Sequence, residues 1–321
     1  MNKLSVIYAG TPEFAVPALE ALIQAGYHIA AVLTQPDRPA GRGMKLTPSP
    51  VKQVALKHGI LLMQPETLKD AQVQQQIQSL NADVMLVAAY GLIIPSTVLN
   101  MPRLGCFNIH ASLLPRWRGA APIQRALLAG DSHTGVTIMK VVPALDAGDM
   151  IVKGNIPIGA RDTAQSLHDK LAQQGADLLI QVMHTLSEQG QVAAEAQDEA
   201  LVTYAEKLQK SEAVIDWQQS AVQISRQVRA FNPFPVAHSL LLGEVCRIWM
   251  ATDAPKMDGS SQAKQPAYRA GQIIGLGDSI DVACGEGVLK IEILQMPGGK
   301  RLSASDFCRG HALSVGMCFG A

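Results

Sequence analysis

Several features that would assign a protein class at once are missing from this sequence. The five cysteines are an odd number and include no CxxC pair, which argues against a disulfide framework and a zinc site and favours reduced thiols. The first apolar run, Leu4–Ala9, ends at Gly10, too early for a signal peptide or a membrane span. The formal net charge is zero, so a polyanionic partner must be recognised by a local patch. We expect a cytoplasmic protein without membrane segments or metal.

The first strand–helix turn also lacks the glycines of a dinucleotide site. A G-x-G-x-x-G fingerprint is expected where an open α/β sheet binds a nicotinamide cofactor. The turn Ala9-Gly10-Thr11-Pro12-Glu13-Phe14 holds one glycine, and Pro12 stands where the backbone would approach the pyrophosphate. We therefore exclude a nicotinamide cofactor, and we expect Thr11 to cap a helix that has Pro12 at its first position.

The remaining pattern predicts an α/β protein. Only 4% of the residues are aromatic, but 48% are hydrophobic, which is enough to form a buried core. A length of 321 residues is sufficient for two domains. Strand and helix patterns alternate in the first half, which predicts a Rossmann-like, parallel-type sheet. The expected strands are Leu4–Ala9, Ile29–Leu33, Val84–Tyr90, Cys106–His110 and Gly135–Val142. The expected helices include Gly119–Ala129 and Thr163–Gln189, the second with a break near Gly175.

The composition changes after residue 190. Gln191–Leu208 is rich in Ala, Glu and Gln without periodicity, which predicts a linker. After a helix within Ser211–Phe231, five short strand-like runs with glycine turns predict a small OB-like β-barrel. These runs are Val236–Leu242, Val245–Ala251, Gln272–Leu276, Ile280–Ala283 and Val288–Leu294. We therefore predict a catalytic domain over residues 1–190, a linker over 191–208 and a second domain over 209–321.

The stretch from Cys106 to Asp131 carries the clearest signal of a site. Asn108 and His110 are two residues apart in a β-type segment, so their side chains leave the same face of the strand. Four arginines and no acidic residue occur between Met101 and Gly130. A polar pair at the end of a buried strand, followed by a basic loop, is typical of ligand sites in open α/β sheets. A buried histidine satisfied by its neighbours is the alternative.

A third polar residue, Asp146, follows the strand Gly135–Val142, and we expect this carboxylate to reach the imidazole at the end of the neighbouring strand. An Asn amide can donate to a developing oxyanion, a His can move a proton, and an Asp can fix the His tautomer. No Ser or Cys nucleophile belongs to the set, which favours direct attack by a substrate amine in an acyl or formyl transfer. A turn-forming Asp is the alternative for Asp146.

Longer motifs run through about the first three quarters of the chain. The Asn-x-His-x-Ser-Leu-Leu-Pro run of residues 108–115 and the Asp-x-Gly-Asp of residues 146–149 resemble the 10-formyltetrahydrofolate-dependent formyltransferase family. The Arg-Pro-Ala-Gly-Arg-Gly run of residues 38–43 and VTYAEKL of residues 202–208 resemble its methionyl-tRNA formyltransferase branch. Further matches are AGTPEFA (9–15), ADVMLVAAYGLIIP (82–95), TGVTIMKVVPALDAGDMI (134–151), IDW (215–217) and RAFNPFP (229–235).

The resemblance implies a function and a set of residues. It implies that the formyl group of 10-formyltetrahydrofolate is transferred to the α-amino group of methionine on initiator Met-tRNA, for translation initiation. It also implies that the enzyme is a monomer and needs no metal. It implies a catalytic set of Asn108, His110 and Asp146. It places Ser112, Leu113, Leu114 and Pro115 in the folate site. Ala111 stands where many relatives have Gly, and we expect only a slight change in loop flexibility.

The segment Thr34–Lys57 is basic and broken by Gly and Pro, with Asp37 as its single acid. Such a segment suits a loop that orders on RNA, with Arg38, Arg42 and Lys45 meeting phosphates. Arg42, between two glycines, is the strongest candidate; an ordinary solvated loop is the alternative. In the second domain, RNA contacts must come from a patch, with Arg226, Arg229, Lys290, Lys300 and Arg301 as candidates.

Two other functions share parts of this pattern. A formyltransferase acting on a small amine, such as glycinamide ribonucleotide or an amino sugar, would have the Asn/His/Asp set but no need for the basic segment or the barrel. A non-catalytic RNA-binding protein built on a degenerate enzyme fold would not need the intact set.

Overall fold

The computed structural model describes residues 4–40, 45–254 and 268–320. These residues form two compact units, which we describe separately. The first unit comprises the described residues within Met1–Pro122, His133–Pro157 and His168–Ala205. The second comprises those within Ile123–Ser132, Ile158–Leu167 and Glu206–Ala321. Arg42, predicted to meet RNA phosphates, lies outside the described residues.

Strands and helices alternate through the first half of the chain, as predicted. The strands of the first unit are β1 (Ser5–Gly10), β2 (His28–Leu33), β3 (Arg38–Ala40), β4 (Lys45–Thr47), β5 (Leu62–Met63), β6 (Val84–Ala88), β7 (Cys106–His110), β8 (Arg118–Gly119), β9 (His133–Lys140), β10 (Met150–Pro157) and β11 (Tyr204–Ala205). The helices up to residue 189 are α1 (Val16–Gln24), α2 (Pro50–Lys57), α3 (Ala71–Ser79), α4 (Ser96–Leu99), α5 (Pro122–Ala129) and α6 (Ala164–Gln189).

Seven strands form the main sheet, in the order β10-β9-β7-β6-β1-β2-β5. The part from β7 to β5 is parallel, and its strands β1 and β6 are almost wholly buried, because both faces of such a sheet are covered. The Rossmann-like fold is therefore confirmed. The sheet is mixed rather than purely parallel, however, since β9 runs antiparallel to β7 and β10 runs antiparallel to β9.

The predicted cap of the first helix was wrong. A short 3-10 turn, Glu13–Ala15, follows β1, and α1 begins only at Val16. The Thr11 hydroxyl donates instead to the Tyr90 carbonyl, 2.9 Å away, and so ties the end of β1 to the chain that follows β6.

The predicted break near Gly175 was also wrong, because α6 is continuous. A Cβ atom at Gly175 would lie 2.6 Å from Cγ2 of Ile109 on β7. The glycine therefore permits close packing of the helix on the sheet. Helix packing overrides the weak helix propensity of a single glycine.

The second unit is built on a curled antiparallel sheet. Its strands are β12 (His238–Leu241), β13 (Glu244–Asp253), β14 (Ile273–Leu276), β15 (Ile280–Ala283), β16 (Val288–Gln295) and β17 (Leu302–Ser303), and its later helices are α7 (Ala221–Ala230) and α8 (Ala304–Gly310). The strand order is β12-β13-β16-β15-β14, with β17 beside β16. All five predicted strands are present and form a half-barrel, and Trp217, Ile224 and Phe307 lie in its buried core.

Candidate active site

Strand β7 fixes the directions of Asn108 and His110. It is paired on both sides, with β6 in parallel and with β9 antiparallel, so its pleat is held rigidly. Phe107 and Ile109 are buried on one face. Asn108 and His110 lie on the other face, as predicted from their spacing. Within the described part of the chain, the half-buried Asn108 amide makes no hydrogen bond and so keeps its donors available.

The His110 ring lies between two acceptors. Its side chain is 7% exposed, its Nε2 is 2.9 Å from the Trp117 carbonyl oxygen, and its Nδ1 is 3.6 Å from Oδ2 of Asp146. A carbonyl oxygen can only accept, so the bond to Trp117 requires a hydrogen on Nε2. The Asp146 carboxylate faces the other nitrogen and can orient the ring.

Asp146 reaches His110 by a route that the sequence did not predict. Because β9 is antiparallel to β7, its end at Lys140 lies beside Phe107, at the far end of β7 from His110. The chain then returns through residues 141–149, which we call the Asp146 loop. At the turn Asp146 adopts a φ of 46°, and its Oδ2 accepts the N–H of Gly119 at 2.9 Å. The structure therefore brings Asp146 to His110, although the predicted alignment of strand ends was wrong.

The predicted folate residues have two different environments. Ser112 and Leu114 are buried: the Ser112 hydroxyl donates to the Arg116 carbonyl at 2.6 Å, and the Leu114 N–H donates to the Thr137 hydroxyl at 3.1 Å. Leu113 and Pro115 are partly exposed. The buried pair holds the shape of the loop, and the other two offer surface.

The arginines between Met101 and Gly130 contribute less free positive charge than the sequence predicts. Arg103 pairs with Asp83 at 2.6 Å, and Arg118 pairs with Glu199 at 2.8 Å. In the second unit, Arg125 pairs with Glu212 at 2.6 Å, and these bonds hold the pKa of that carboxyl below its usual value. Arg116 lies over the ring of Trp117. Carboxylates distant in the chain therefore neutralise much of the predicted positive charge.

The basic segment contains a small antiparallel ribbon made of β3 and β4. Arg38 pairs with Thr47, Pro39 with Leu46, and Ala40 with Lys45. Paired residues share a face and successive residues alternate, so Arg38 and Lys45 lie on one face and Leu46 on the other. Arg38, Lys45 and Leu46 are exposed to solvent. The ribbon thus presents two of the predicted RNA contacts on the same side.

A polar triangle holds the base of this ribbon. Lys52 Nζ donates to Oδ2 of Asp37 at 2.7 Å and to Oε1 of Gln64 at 2.8 Å, and Gln64 Nε2 donates to Oδ1 of Asp37 at 2.8 Å. The bonds from Lys52 and Gln64 lower the pKa of Asp37 below its usual value. Lys52 is therefore already engaged by a carboxylate, unlike the solvent-exposed Arg38 and Lys45.

The candidates in the second unit are not equivalent. Arg229 donates to the Asp162 carbonyl at 3.1 Å, and burial lowers the pKa of its guanidinium. Arg226 lies against Gly130, and Arg301 covers the ring of Trp249. Lys300 is exposed and Lys290 is half-buried. Arg229 is thus partly buried and bonded within its unit, whereas Lys300 offers an accessible charge.

Sequence reasoning missed several groups around the site. Arg118, Gln197 and Thr137 are buried and hydrogen-bonded close to Asp146 or the 112–115 loop. Gln197 gave no signal, because the surrounding segment has no periodicity. Among the described residues, no group of three or more His, Cys, Asp or Glu side chains is arranged to hold a metal ion. In the same residues, no helix has the length and apolar character needed to cross a bilayer.

Comparison with known families decides the assignment. The sequence matches the formyl transferase family over residues 2–183 and the formyl transferase C-terminal domain over residues 207–312. The chain belongs to the formyl transferase family. This confirms the family predicted from the motifs and the formyl-transfer activity that comes with it.

Similar proteins place the chain in one branch of that family. It is 63% identical to methionyl-tRNA formyltransferase of Methylobacillus flagellatus, over 99% of this chain and 100% of that protein. It is 54% identical to methionyl-tRNA formyltransferase of Methylococcus capsulatus, over 97% and 98%. The resemblance to the methionyl-tRNA branch is thereby confirmed.

Solved structures of more distant proteins share the fold. An N-formyltransferase from Helicobacter canadensis, in complex with folinic acid and dTDP-3-aminofucose, matches with a TM-score of 0.69 at 18% identity, over 93% of this chain and 100% of that one. HypX from Aquifex aeolicus in complex with tetrahydrofolic acid matches with a TM-score of 0.63 at 14% identity, over 96% of this chain and 47% of that one.

Proposed function

We propose that this chain transfers the formyl group of 10-formyltetrahydrofolate to the α-amino group of methionine on initiator Met-tRNA, with Asn108, His110 and Asp146 as its catalytic residues. The observation that carries the proposal is the arrangement on one face of β7. An amide free of hydrogen bonds within the described residues lies two positions from a histidine, and that histidine is 3.6 Å from a carboxylate. The high identity to methionyl-tRNA formyltransferases over the whole chain supports the choice of acceptor.

Each residue has a role that follows from its chemistry. The bound folate supplies the formyl group. The Asn108 amide donates to the formyl oxygen as negative charge develops on it. As the bond from the amine nitrogen to the formyl carbon forms, the bond from that carbon to the folate nitrogen breaks; His110 takes the proton released by the amine and delivers it to the departing folate nitrogen. Asp146 orients the His110 ring and stabilises its charge.

The surrounding groups favour direct attack by the amine. Burial raises the pKa of the Cys106 thiol to about 12, so this thiol stays protonated at neutral pH. The Ser112 hydroxyl is occupied by its bond to the Arg116 carbonyl. Neither residue is placed to form a covalent formyl intermediate.

We place the folate beside residues 112–115. Leu113 and Pro115 offer apolar surface to the ligand, and the buried Ser112 and Leu114 hold the loop in shape. HypX, a structural neighbour, is known in complex with tetrahydrofolic acid, and the Helicobacter canadensis enzyme with folinic acid, which supports a pteridine site in this fold.

We assign tRNA binding to Arg38 and Lys45 of the β3–β4 ribbon, to Arg42, which lies between them in the sequence, and to the second unit. The shared face of Arg38 and Lys45 supports the first assignment. In the second unit, the accessible Lys300 is the side chain to test: Lys300→Glu should weaken Met-tRNA binding without changing folate binding. The division into residues 1–190, 191–208 and 209–321 stays a prediction. We further propose that the protein is cytoplasmic and monomeric. Sedimentation of the purified protein would check the monomeric state.

A formylation assay tests the proposal. The purified chain is given 10-formyltetrahydrofolate with initiator Met-tRNA, glycinamide ribonucleotide or a dTDP-amino sugar as acceptor. Formylation of Met-tRNA alone is the expected result. Formylation of a small amine in place of Met-tRNA would assign a different acceptor, and binding of tRNA without formyl transfer would contradict the enzyme assignment.

A further inference from the structure

Residues 195–205, inside the segment predicted to be a linker, are hydrogen-bonded to the candidate active site. Met150 and Glu195 exchange two backbone hydrogen bonds, both of 2.8 Å. Further along, β11 pairs in parallel with β8, so that Tyr204 lies beside Arg118 and Ala205 beside Gly119. Residues 195–205 therefore contact two stretches of chain that position Asp146. One is the chain at the end of the Asp146 loop, and the other is β8, whose Gly119 N–H donates to the Asp146 carboxylate.

Gln197 is the side chain of this segment that reaches the Asp146 loop. It is only 9% exposed. Its Nε2 donates to the carbonyl of Asp146 at 2.7 Å and to the carbonyl of Gly148 at 2.8 Å. Its Oε1 accepts from Nε of Arg118 at 2.9 Å. One amide therefore satisfies two carbonyls of the loop while a third bond fixes its own orientation.

Arg118 completes the connection. Its side chain is 3% exposed, and its guanidinium donates to both carboxylate oxygens of Glu199, at 2.8 and 3.4 Å. A buried guanidinium needs such partners, so its position is well determined. The next residue, Gly119, donates its N–H to the Asp146 carboxylate. Gln197, which holds the Asp146 backbone, is thus bonded to Arg118, the sequence neighbour of the glycine that binds the Asp146 side chain.

The conformation of Asp146 makes this support important. Its φ of 46° lies in the left-handed region, which non-glycine residues adopt at a cost. A carbonyl held by Gln197 and a carboxylate held by Gly119 keep the residue in that conformation. Without the Gln197 bonds, the loop can relax and carry the carboxylate away from Nδ1 of His110.

We propose that Gln197 is a positioning residue for formyl transfer, which holds Asp146 through its backbone carbonyl so that the carboxylate stays beside His110. This inference rests on the proposed function, since it gives Gln197 a role only through Asp146.

The test uses full-length variants in steady-state formylation of Met-tRNA. Gln197→Met keeps the length and volume but removes all three hydrogen bonds. We expect kcat to fall about 10–100-fold, as when supporting partners of an active-site ligand are removed, with KM for Met-tRNA changed less than about threefold. Gln191→Met is the matched control, because Gln191 is an exposed glutamine of the predicted linker, outside residues 195–205, and this variant should match the wild type.

A second variant separates hydrogen bonding from packing. Gln197→Glu keeps the shape and the acceptor for Arg118, but it places an oxygen against the two loop carbonyls. We expect it to be at least as impaired as Gln197→Met. Tetrahydrofolate binding by each variant reports whether the fold is intact, and if Gln197→Met does not fold, the isosteric Gln197→Glu decides the question alone.

A double variant tests whether Gln197 acts through Asp146. If it does, Gln197→Met should add little to the loss already caused by Asp146→Asn. Losses that multiply, or a folded Gln197→Met with the turnover of Gln191→Met, would overturn the inference. A wild-type chain that fails to formylate Met-tRNA would instead contradict the proposed function, so the two failures are distinguishable.

Discussion

The Asp146 loop and the β3–β4 ribbon both carry charged residues proposed to function, but they are held in opposite ways. Asp146 is fixed at its carbonyl, by buried Gln197, and at its carboxylate, by the Gly119 N–H. The ribbon has its own short ladder, the polar triangle at its base, and exposed side chains in between.

This difference matches the chemistry proposed for each region. A carboxylate that orients a histidine must be held to a fraction of an ångström, because proton transfer and orientation fail with small displacements. A guanidinium that meets a phosphate needs charge and reach, which long exposed side chains provide. Rigid support should therefore be a requirement in the Asp146 loop and not in the ribbon.

The largest effect is expected from substitutions of the catalytic residues proposed on β7 and in the rigidly held Asp146 loop. Asn108→Ala should lower the turnover of Met-tRNA formylation roughly 10²–10³-fold, the scale for losing one oxyanion donor. Asp146→Asn should also be severely impaired, because His110 loses its orienting charge. Binding of Met-tRNA should barely change. Asp149→Asn is the control on the Asp146 loop, since that carboxylate is partly exposed and lies 3.6 Å from Nζ of Lys140. Near-normal turnover in Asn108→Ala would refute the assignment.

A smaller effect is expected from Arg42, in the basic segment Thr34–Lys57. Arg42→Ala should lower kcat/KM for Met-tRNA about tenfold, the scale of a hydrogen bond to a charged group, while leaving folate binding intact. If Arg42 meets one phosphate, the log–log salt slope of tRNA binding should fall by about one unit. Arg42→Lys should recover part of the loss, because lysine lacks the planar fork. An unchanged slope and activity would mean that this segment is solvated surface.

Lys52→Met tests whether every basic residue of the segment Thr34–Lys57 contributes to tRNA binding, or only those that no carboxylate already binds. Lys52 is bonded to Asp37 and Gln64, so it has little charge to offer a phosphate. We expect the salt slope to stay the same and kcat/KM to fall less than about threefold. The comparison with Arg42→Ala is made over one salt series. A slope reduced as much as in Arg42→Ala would show that Lys52 also meets RNA.

The smallest effect concerns stability in acid. Donation from Lys52 and Gln64 lowers the pKa of Asp37, so the ionised carboxylate stabilises the folded state above the usual Asp pKa of 3.8. This contribution is lost as pH falls through the lower pKa of the folded state. The Tm difference between the wild type and Asp37→Asn should therefore shrink from pH 7 to pH 2. A Tm difference that stays the same at both pH values would mean that protonation of Asp37 does not affect the stability contributed by the polar triangle.

The parts predicted well from the sequence are those with a short-range signal. β7 has the predicted bounds, Cys106–His110, because apolar residues alternate with Asn108 and His110 between clear turns. The half-barrel strands were recognised by short apolar runs between glycine turns. The helix break at Gly175 was wrong because close contact with Ile109, distant in the chain, selected the glycine.

The sequence by itself determined the family, the alternation of strands and helices, and the shared face of Asn108 and His110, since these depend on motifs and on the period of one chain segment. Only the tertiary structure decided that β9 is antiparallel to β7, that the Asp146 loop returns to His110, and that Gln197 donates a hydrogen bond to this loop. It also decided which arginines are neutralised, as Arg118 is by Glu199. Each of these depends on pairing between distant segments, which is selected by the packing of the whole unit and leaves no periodic trace in the segments themselves.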